Sequence, residues 1–167
     1  EERAREALTQ VGLDEKLWQQ SPFELSGGQK RRVAIAGVLA MHPEVLILDE
    51  PTAGLDPKGR DEILDEISAL HRDRHMTIIL VSHSMEDIAR YADRIMVMNH
   101  GEKVFDAPPK EVFRHYKELE AIGLAAPQIT YIVQGLKEHG VPIADDITTV
   151  AEAKDAILQL LGKDERP

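Results

Sequence analysis

The chain has no cysteine, no long apolar run and no Gly-x-x-x-x-Gly-Lys-[Ser/Thr] sequence among its 167 residues. The lack of cysteine excludes disulfides, thiolate metal ligands and cysteine nucleophiles. The apolar run at residues 33–41 is much shorter than the roughly 18 residues that cross a bilayer. The missing glycine-lysine sequence is a principal phosphate-binding loop, so these residues lack that cradle.

The chain also has few basic residues relative to acidic ones: 20 against 30, with a formal net charge of -10. An acidic chain is a poor electrostatic match for a phosphate backbone, so we expect no nucleic-acid partner. A local basic cluster, Lys30-Arg31-Arg32, is interpreted as the solvated first turn of a helix without a catalytic role.

Short apolar runs alternate with helical patterns in the first part of the chain. Residues 45–48 and 77–81 are continuous apolar runs that predict strands buried on both faces. A helix predicted over residues 28–41 is nearly all apolar after its first turn, which indicates burial on most sides. The alternation of strands and helices predicts an α/β fold with a parallel sheet.

The pattern changes after residue 106. The turn Asn99-His100-Gly101 predicts a hairpin between residues 94–98 and 103–105. Beyond it only helices are predicted, over residues 110–121, 127–139 and 150–161. We therefore predict two domains, residues 1–106 and a mainly helical extension, residues 107–167, with a dimerisation role expected for the extension.

A glycine turn precedes the first long helix, in Leu25-Ser26-Gly27-Gly28-Gln29. Glycines at a helix start let backbone N–H groups approach an anion at the positive end of the helix dipole. The hydroxyl of Ser26 adds a donor. These features are typical of a phosphate contact, and a plain helix cap by Ser26 explains the same residues equally simply.

Two carboxylates, Asp49 and Glu50, follow the first apolar strand. Ligands bind at the carboxyl ends of strands in open α/β sheets. Asp49 is predicted to hold Mg²⁺, usually through water, and Glu50 to orient and deprotonate a water beside a terminal phosphate. A strand that simply ends in a polar turn is the alternative interpretation.

His83 and Asp56 occupy turns near these predicted strand ends. His83 follows the second strand, where it can reach a phosphate or an attacking water; the other histidines are interpreted as surface or packing residues. Asp56 lies in the turn Ala53-Gly54-Leu55-Asp56-Pro57, a sequence that by itself indicates only a loop.

Taken together and in this order, these motifs resemble those of the ATP-binding-cassette (ABC) ATPases. Residues 25–29 match the family signature, residues 45–50 the Walker B strand, residues 53–56 the D-loop and His83 the switch histidine. Residues 21–41, residues 51–60 and the segment 123–128 of the tail further resemble the energy-coupling factor (ECF) transporter ATPases. The Walker A loop and Q-loop of the family are not in this sequence, so we expect it to correspond to the C-terminal part of such a subunit.

The resemblance implies a role for each motif. Catalysis would fall to Glu50 as general base and to His83 as γ-phosphate sensor. Asp49 would hold Mg²⁺, and Asp56 would contact a facing subunit. ATP would be contacted across the subunit interface by the signature residues Ser26, Gly27, Gly28 and Gln29.

The resemblance also implies an assembly and a place in the cell. A second ABC ATPase subunit, identical or a paralogue, would pair head to tail with this one. A transmembrane coupling subunit and a substrate-binding membrane subunit would place the pair at the cytoplasmic face of the cell membrane, to drive uptake of a vitamin or of cobalt or nickel. A non-catalytic dimerisation or docking module and an ABC ATPase outside transport are the alternatives.

Overall fold

The computed structural model describes residues 1–162 of the chain. It divides into two compact units, Glu1–His83 (unit 1) and Ser84–Pro167 (unit 2). The units therefore separate at a different place from the predicted domain boundary at residue 106, which falls within a strand of unit 2. The last five residues of the predicted extension, 163–167, lie outside the described residues.

Unit 1 consists of a two-stranded parallel sheet with three helices. Its elements are α1 (Glu2–Gln10), α2 (Gly27–Leu39), β1 (Val45–Asp49), α3 (Pro57–Arg74) and β2 (Thr77–Val81). The strands pair in parallel, with Leu46 opposite Ile78 and Asp49 opposite Val81. The predicted α/β fold with a parallel sheet is confirmed.

The sheet of unit 1 buries only one of its faces, so the prediction of two buried faces is wrong. Leu46 is 2% exposed, whereas its neighbour Ile47 is 65% exposed. Ile79, which pairs with Ile47, is also exposed, as are Val45 and Val81. The face that carries Leu46 and Leu48 is buried, whereas nothing in residues 1–83 covers the other.

Helix α2 is likewise less buried than its composition predicts. Ile35, Ala36 and Leu39 are buried, while Gly37 and Val38 on its other side are exposed. The helix packs against α1. An apolar sequence therefore indicates which residues can be buried, but only the neighbouring elements decide which of them are.

Unit 2 begins with α4 (Met85–Tyr91) and the antiparallel hairpin of β3 (Ile95–Asn99) and β4 (Glu102–Ala107), which confirms the predicted hairpin. Four helices follow: α5 (Pro109–Arg114), α6 (Tyr116–Ala121), α7 (Gln128–Glu138) and α8 (Val150–Leu160). The single helix predicted over residues 110–121 is wrong, because the chain breaks at His115 between α5 and α6.

Two apolar clusters hold unit 2 together. The hairpin, α5 and α6 enclose Val97, Val112, Phe113 and Leu119, with Tyr116 and Tyr131 in an edge-on ring contact beside them. Helices α7 and α8 enclose a second cluster around Val133. Each cluster uses only residues of unit 2.

The predicted capping box at the start of α8 is confirmed. Thr149 accepts a hydrogen bond from the Glu152 N–H, and Glu152 Oε2 accepts from the N–H groups of Thr148 and Thr149. Lys110 Nζ lies 2.7 Å from Glu152 Oε1. Burial by itself raises the pKa of Glu152, but the hydrogen bonds from Lys110 and the two backbone amides outweigh it and lower that pKa to about 2.

Candidate functional site

The parallel pairing of β1 and β2 brings the predicted catalytic residues to one edge of the sheet. The Glu50 N–H donates to the Val81 carbonyl at 2.9 Å, which extends the ladder one residue beyond β1. Glu50 itself has a positive φ of 47°. This left-handed conformation is unfavourable for a non-glycine residue, so surrounding contacts must hold it.

Glu50 and His83 are in direct contact. The Nδ1 atom of His83 lies 2.8 Å from Glu50 Oε1. Because an ionised carboxylate only accepts hydrogen bonds, Nδ1 carries the proton of this bond in the neutral imidazole, and Nε2 is then the acceptor nitrogen. The His83 side chain is 84% exposed, so the pair can be reached from solvent.

Asp49 lies on the uncovered face of the sheet, beside Ile47 in the alternation of β1. It is exposed at the carboxyl end of the strand, and a carboxylate is the oxygen ligand that Mg²⁺ prefers. No group of three or more His, Asp or Glu side chains suited to a metal occurs in residues 1–162. That Asp49 holds Mg²⁺ stays a prediction, which its exposed carboxylate at the strand end fits.

The turn before α2 has the geometry of a helix cap. Ser26 Oγ accepts from the Gln29 N–H at 3.3 Å, and the Ser26 N–H donates to Gln29 Oε1 at 2.8 Å. The capping interpretation of Ser26 is thus confirmed. Gly27 and Gly28, as the first residues of the helix, have N–H groups without a partner inside it, which is the feature that a phosphate contact requires.

Asp56 caps α3. Its Oδ1 accepts from the Gly59 N–H at 3.1 Å, and a Cβ placed at Gly59 would lie 2.7 Å from the same oxygen. Any larger residue at position 59 would therefore disturb the cap. A contact between Asp56 and a facing subunit stays a prediction.

The Ser26–Gln29 turn and the Asp56 turn line one open cavity of about 610 Å³. Leu55 lies close to Gly28, because a Cβ at Gly28 would be 3.8 Å from Leu55 Cδ2. The predicted site residues thus form two groups in unit 1. Ser26–Gln29 and Asp56 share this cavity, and Glu50 contacts His83 at the sheet edge.

The interpretation of the basic cluster as solvated is wrong for two of its three residues. Arg31 donates to the Glu50 carbonyl at 2.9 Å and to the Ala53 carbonyl at 3.1 Å. Arg32 donates to the Val11 carbonyl at 3.0 Å. Lys30 alone of the three is exposed.

Arg32 also forms ion pairs with Glu62 and Glu66 of α3. Burial raises the pKa of Glu66, while the Arg32 charge opposes that rise. Arg32 therefore ties α2 to α3 and to the end of α1. The sequence gives little indication of these roles. Adjacent residues of a helix point in different directions, so three consecutive basic residues do not show which of them reaches a neighbouring element.

Comparison with known proteins shows the family to which this chain belongs. The family description "ABC transporter" matches residues 1–53. The C. perfringens protein cbiO1, described as part of the ABC transporter complex cbiONQ, has a solved structure that superposes with a TM-score of 0.64 and 41% identity. That superposition covers 80% of this chain and 53% of the other. The chain belongs to the ABC transporter ATPases.

Within that family, the chain is similar to energy-coupling factor transporter ATP-binding proteins named EcfA2. It is 60% identical to the one from Clostridium tetani over 161 residues, 96% of this chain and 56% of the relative. It is 56% identical to the one from Clostridium perfringens, with 95% and 56% covered. The chain thus spans a little over half the length of these curated relatives, and no helix within residues 1–162 is long and apolar enough to cross a membrane.

Proposed function

We propose that this chain is part of the ATP-hydrolysing subunit of an ECF-type importer, which couples ATP binding and hydrolysis to uptake of a vitamin or of a cobalt or nickel ion. The contact between Glu50 and His83 at the carboxyl end of the parallel strands carries the proposal. A purely structural turn has no need of a strained glutamate paired with an exposed histidine. The identity to EcfA2 proteins over nearly the whole chain supports the same conclusion.

In this proposal Glu50 takes a proton from the water that attacks the γ-phosphate. The bond to His83 Nδ1 orients the carboxylate and leaves His83 Nε2 to contact the phosphate. Asp49 would hold Mg²⁺, directly or through water, and the ion would supply positive charge to neutralise the phosphates. The reaction also requires a triphosphate cradle, and residues 1–167 contain no Gly-x-x-x-x-Gly-Lys-[Ser/Thr] sequence to form one.

The signature turn acts across a subunit interface. Ser26, Gly27, Gly28 and Gln29 contact ATP held by a second ATPase subunit, since the Gly27 and Gly28 N–H groups lie at a positive helix end. Asp56, which lines the same cavity, contacts that subunit. A solved dimeric ABC transporter cassette, 34% identical to this chain with a TM-score of 0.56, supports such pairing.

The complete assembly adds membrane partners. A transmembrane coupling subunit and a substrate-binding membrane subunit would receive the motion of the paired ATPases, which places the chain at the cytoplasmic face of the membrane. The name energy-coupling factor transporter of the matching relatives supports this assignment.

The proposal is tested with Glu50→Gln in the full-length subunit assembled with its partners. Because the amide of a glutamine cannot accept the proton, we expect kcat for ATP hydrolysis to fall by about 10²–10⁴-fold while ATP binding persists. Glu44→Gln is the matched control, since Glu44 is exposed just before β1 and should keep kcat within about twofold. Full turnover by Glu50→Gln would refute the role of Glu50.

A non-catalytic docking module is the second candidate, favoured by the absence of a Gly-x-x-x-x-Gly-Lys-[Ser/Thr] sequence from these residues. In that case the helices after Pro108 would be the interacting part. Removal of that region should then abolish self-association, and the wild-type assembly should not hydrolyse ATP.

A further inference from the structure

The loop that follows β1 is bridged by a side chain from another helix. Arg31, on the second turn of α2, reaches the loop with both terminal nitrogens of its guanidinium group. Nη1 donates to the Glu50 carbonyl at 2.9 Å and Nη2 donates to the Ala53 carbonyl at 3.1 Å. One planar group thus fixes both ends of the turn that begins at Glu50.

The same turn contains the strained residue. Glu50 has a φ of 47°, and its N–H is held by the Val81 carbonyl. Its own carbonyl accepts from the Ala53 N–H at 3.1 Å as well as from Arg31. These bonds surround an unfavourable backbone conformation, and the direction of the Glu50 side chain follows from that conformation.

The side chain of Glu50 has fewer contacts that fix its position than its backbone has. Its carboxylate contacts a histidine whose side chain is 84% exposed and thus has few other neighbours to hold it. The backbone bonds of Glu50 involve residues of two regular elements, Val81 of strand β2 and Arg31 of helix α2. The backbone conformation of Glu50 thus sets the direction in which its side chain leaves the chain, and the His83 bond orients the carboxylate at its end. Arg31 is the side chain that bonds to that backbone.

We propose that Arg31 is a positioning residue for the reaction, which acts by holding the Glu50 backbone in the conformation that aims its carboxylate. The inference rests on the proposed function, because it gives Arg31 its effect through Glu50. It also requires a guanidinium group. A lysine ammonium is a compact charge that cannot span the two carbonyls in the same planar geometry.

The neighbours of Arg31 provide matched controls. Lys30 is exposed on the same turn of α2, and Arg32 joins α2 to Glu62 and Glu66 of α3. The three adjacent basic residues thus have different surroundings. A general need for positive charge at the start of α2 would make Lys30 as important as Arg31, whereas a bridge to the Glu50 turn singles out Arg31.

The first measurement is steady-state ATP hydrolysis by the full-length subunit assembled with its partners, for Arg31→Ala, Arg31→Lys and Lys30→Ala. We expect Arg31→Ala to lower kcat by about 10–100-fold with less than about a threefold change in KM, because ground-state binding is not affected. Arg31→Lys should recover only part of the loss, and Lys30→Ala should stay within about twofold of wild type. Wild-type kcat in Arg31→Ala, or full recovery in Arg31→Lys, would overturn the inference.

A double-variant comparison separates positioning from a general structural effect. If Arg31 acts through Glu50, then Arg31→Ala should slow single-turnover hydrolysis little further once Glu50→Gln is present. An undiminished effect of Arg31→Ala in the Glu50→Gln protein would contradict that route.

Hydrogen exchange of residues 50–55 tests the inference independently of activity. Loss of the Arg31 bridge should raise the exchange rate of the Ala53 amide by about tenfold or more, and Lys30→Ala should not change it. Arg31→Lys gives the same readout if Arg31→Ala does not fold. Unchanged exchange in both Arg31 variants would refute the inference, whereas an inactive wild type with raised exchange in the variants would refute only the proposed function.

Discussion

The two sheets of the molecule leave chemically different faces uncovered. The hairpin of unit 2 is antiparallel, and its exposed residues Met96 and Met98 lie opposite charged residues, Asp106 and Lys103 respectively. The parallel pair of unit 1 exposes Ile47 and Ile79, which lie opposite each other. Parallel sheets are normally covered on both faces, whereas antiparallel sheets commonly face water on one side.

The closed apolar clusters and the candidate site residues therefore lie in different units of the chain. The clusters of unit 2 are closed by residues of that unit. Unit 1 carries all the candidate site residues, and Asp49 lies on its uncovered apolar face. Unit 1, which would carry the catalytic residues, is therefore also the unit whose described residues leave one face of its sheet uncovered.

The largest stability effect is expected in the closed core of unit 2. Phe113 is 2% exposed, so Phe113→Ala should lower the free energy of unfolding by about 3–5 kcal/mol through lost burial and a cavity. Denaturant unfolding of the chain, followed at unit 2, measures it. Phe23 is 90% exposed, and Phe23→Ala should cost less than about 0.5 kcal/mol. Equal costs for the two substitutions would contradict the closed core.

A smaller effect should distinguish the two faces of β1. Leu46→Ala is expected to lower the free energy of unfolding by about 3 kcal/mol, and Ile47→Ala by less than about 1 kcal/mol, because only Leu46 is buried. Chemical denaturation of both variants gives the comparison. If Ile47→Ala costs as much as Leu46→Ala, the open face is covered in solution.

The smallest effect concerns the charges of the two units. The pKa of Glu152 is lowered to about 2 in the folded state, so the stability it contributes is present above pH 4.5 and is lost as the pH falls towards 2. We expect a loss of about 1 kcal/mol, measured as the free energy of unfolding against pH. Glu152→Gln should remove this dependence, and an unchanged pH profile in that variant would contradict the assignment.

The pKa of Glu66 in unit 1 is shifted in the opposite direction. Its pKa is raised by burial above the ordinary value of 4.5, so its favourable contribution is present below pH 4.5 and is lost as the pH rises through the raised pKa. Acidification from neutral pH should therefore favour the fold through Glu66 before it weakens the fold through Glu152. Glu66→Gln should abolish only the first of these changes.

Elements with a local cause were predictable from the sequence. The hairpin follows from the Asn99-His100-Gly101 turn, and the start of α8 follows from Thr149 and Glu152. The strand ends of β1 and β2 follow from short apolar runs that stop at polar residues. The sequence placed Glu50 and His83 each after a strand, and the two residues meet because parallel strands end at the same sheet edge.

Features that depend on distant neighbours were not predictable. The bridge from Arg31 to the Glu50 and Ala53 carbonyls joins residues about twenty positions apart, and nothing in a basic helix start specifies it. The break at His115 was missed because the helical pattern of residues 110–121 continues through it.

The amino-acid sequence by itself determined the class of this protein, most of the order of its elements and the candidate residues that we propose bind phosphate, hold Mg²⁺ or move a proton. These properties depend on residue type and short-range spacing, which are local. Only the tertiary structure decided which face of the sheet is covered, that Glu50 adopts a left-handed backbone conformation, and that Arg31 rather than Lys30 reaches it. Those properties depend on the direction of side chains from separate elements, which the packing of the chain alone fixes.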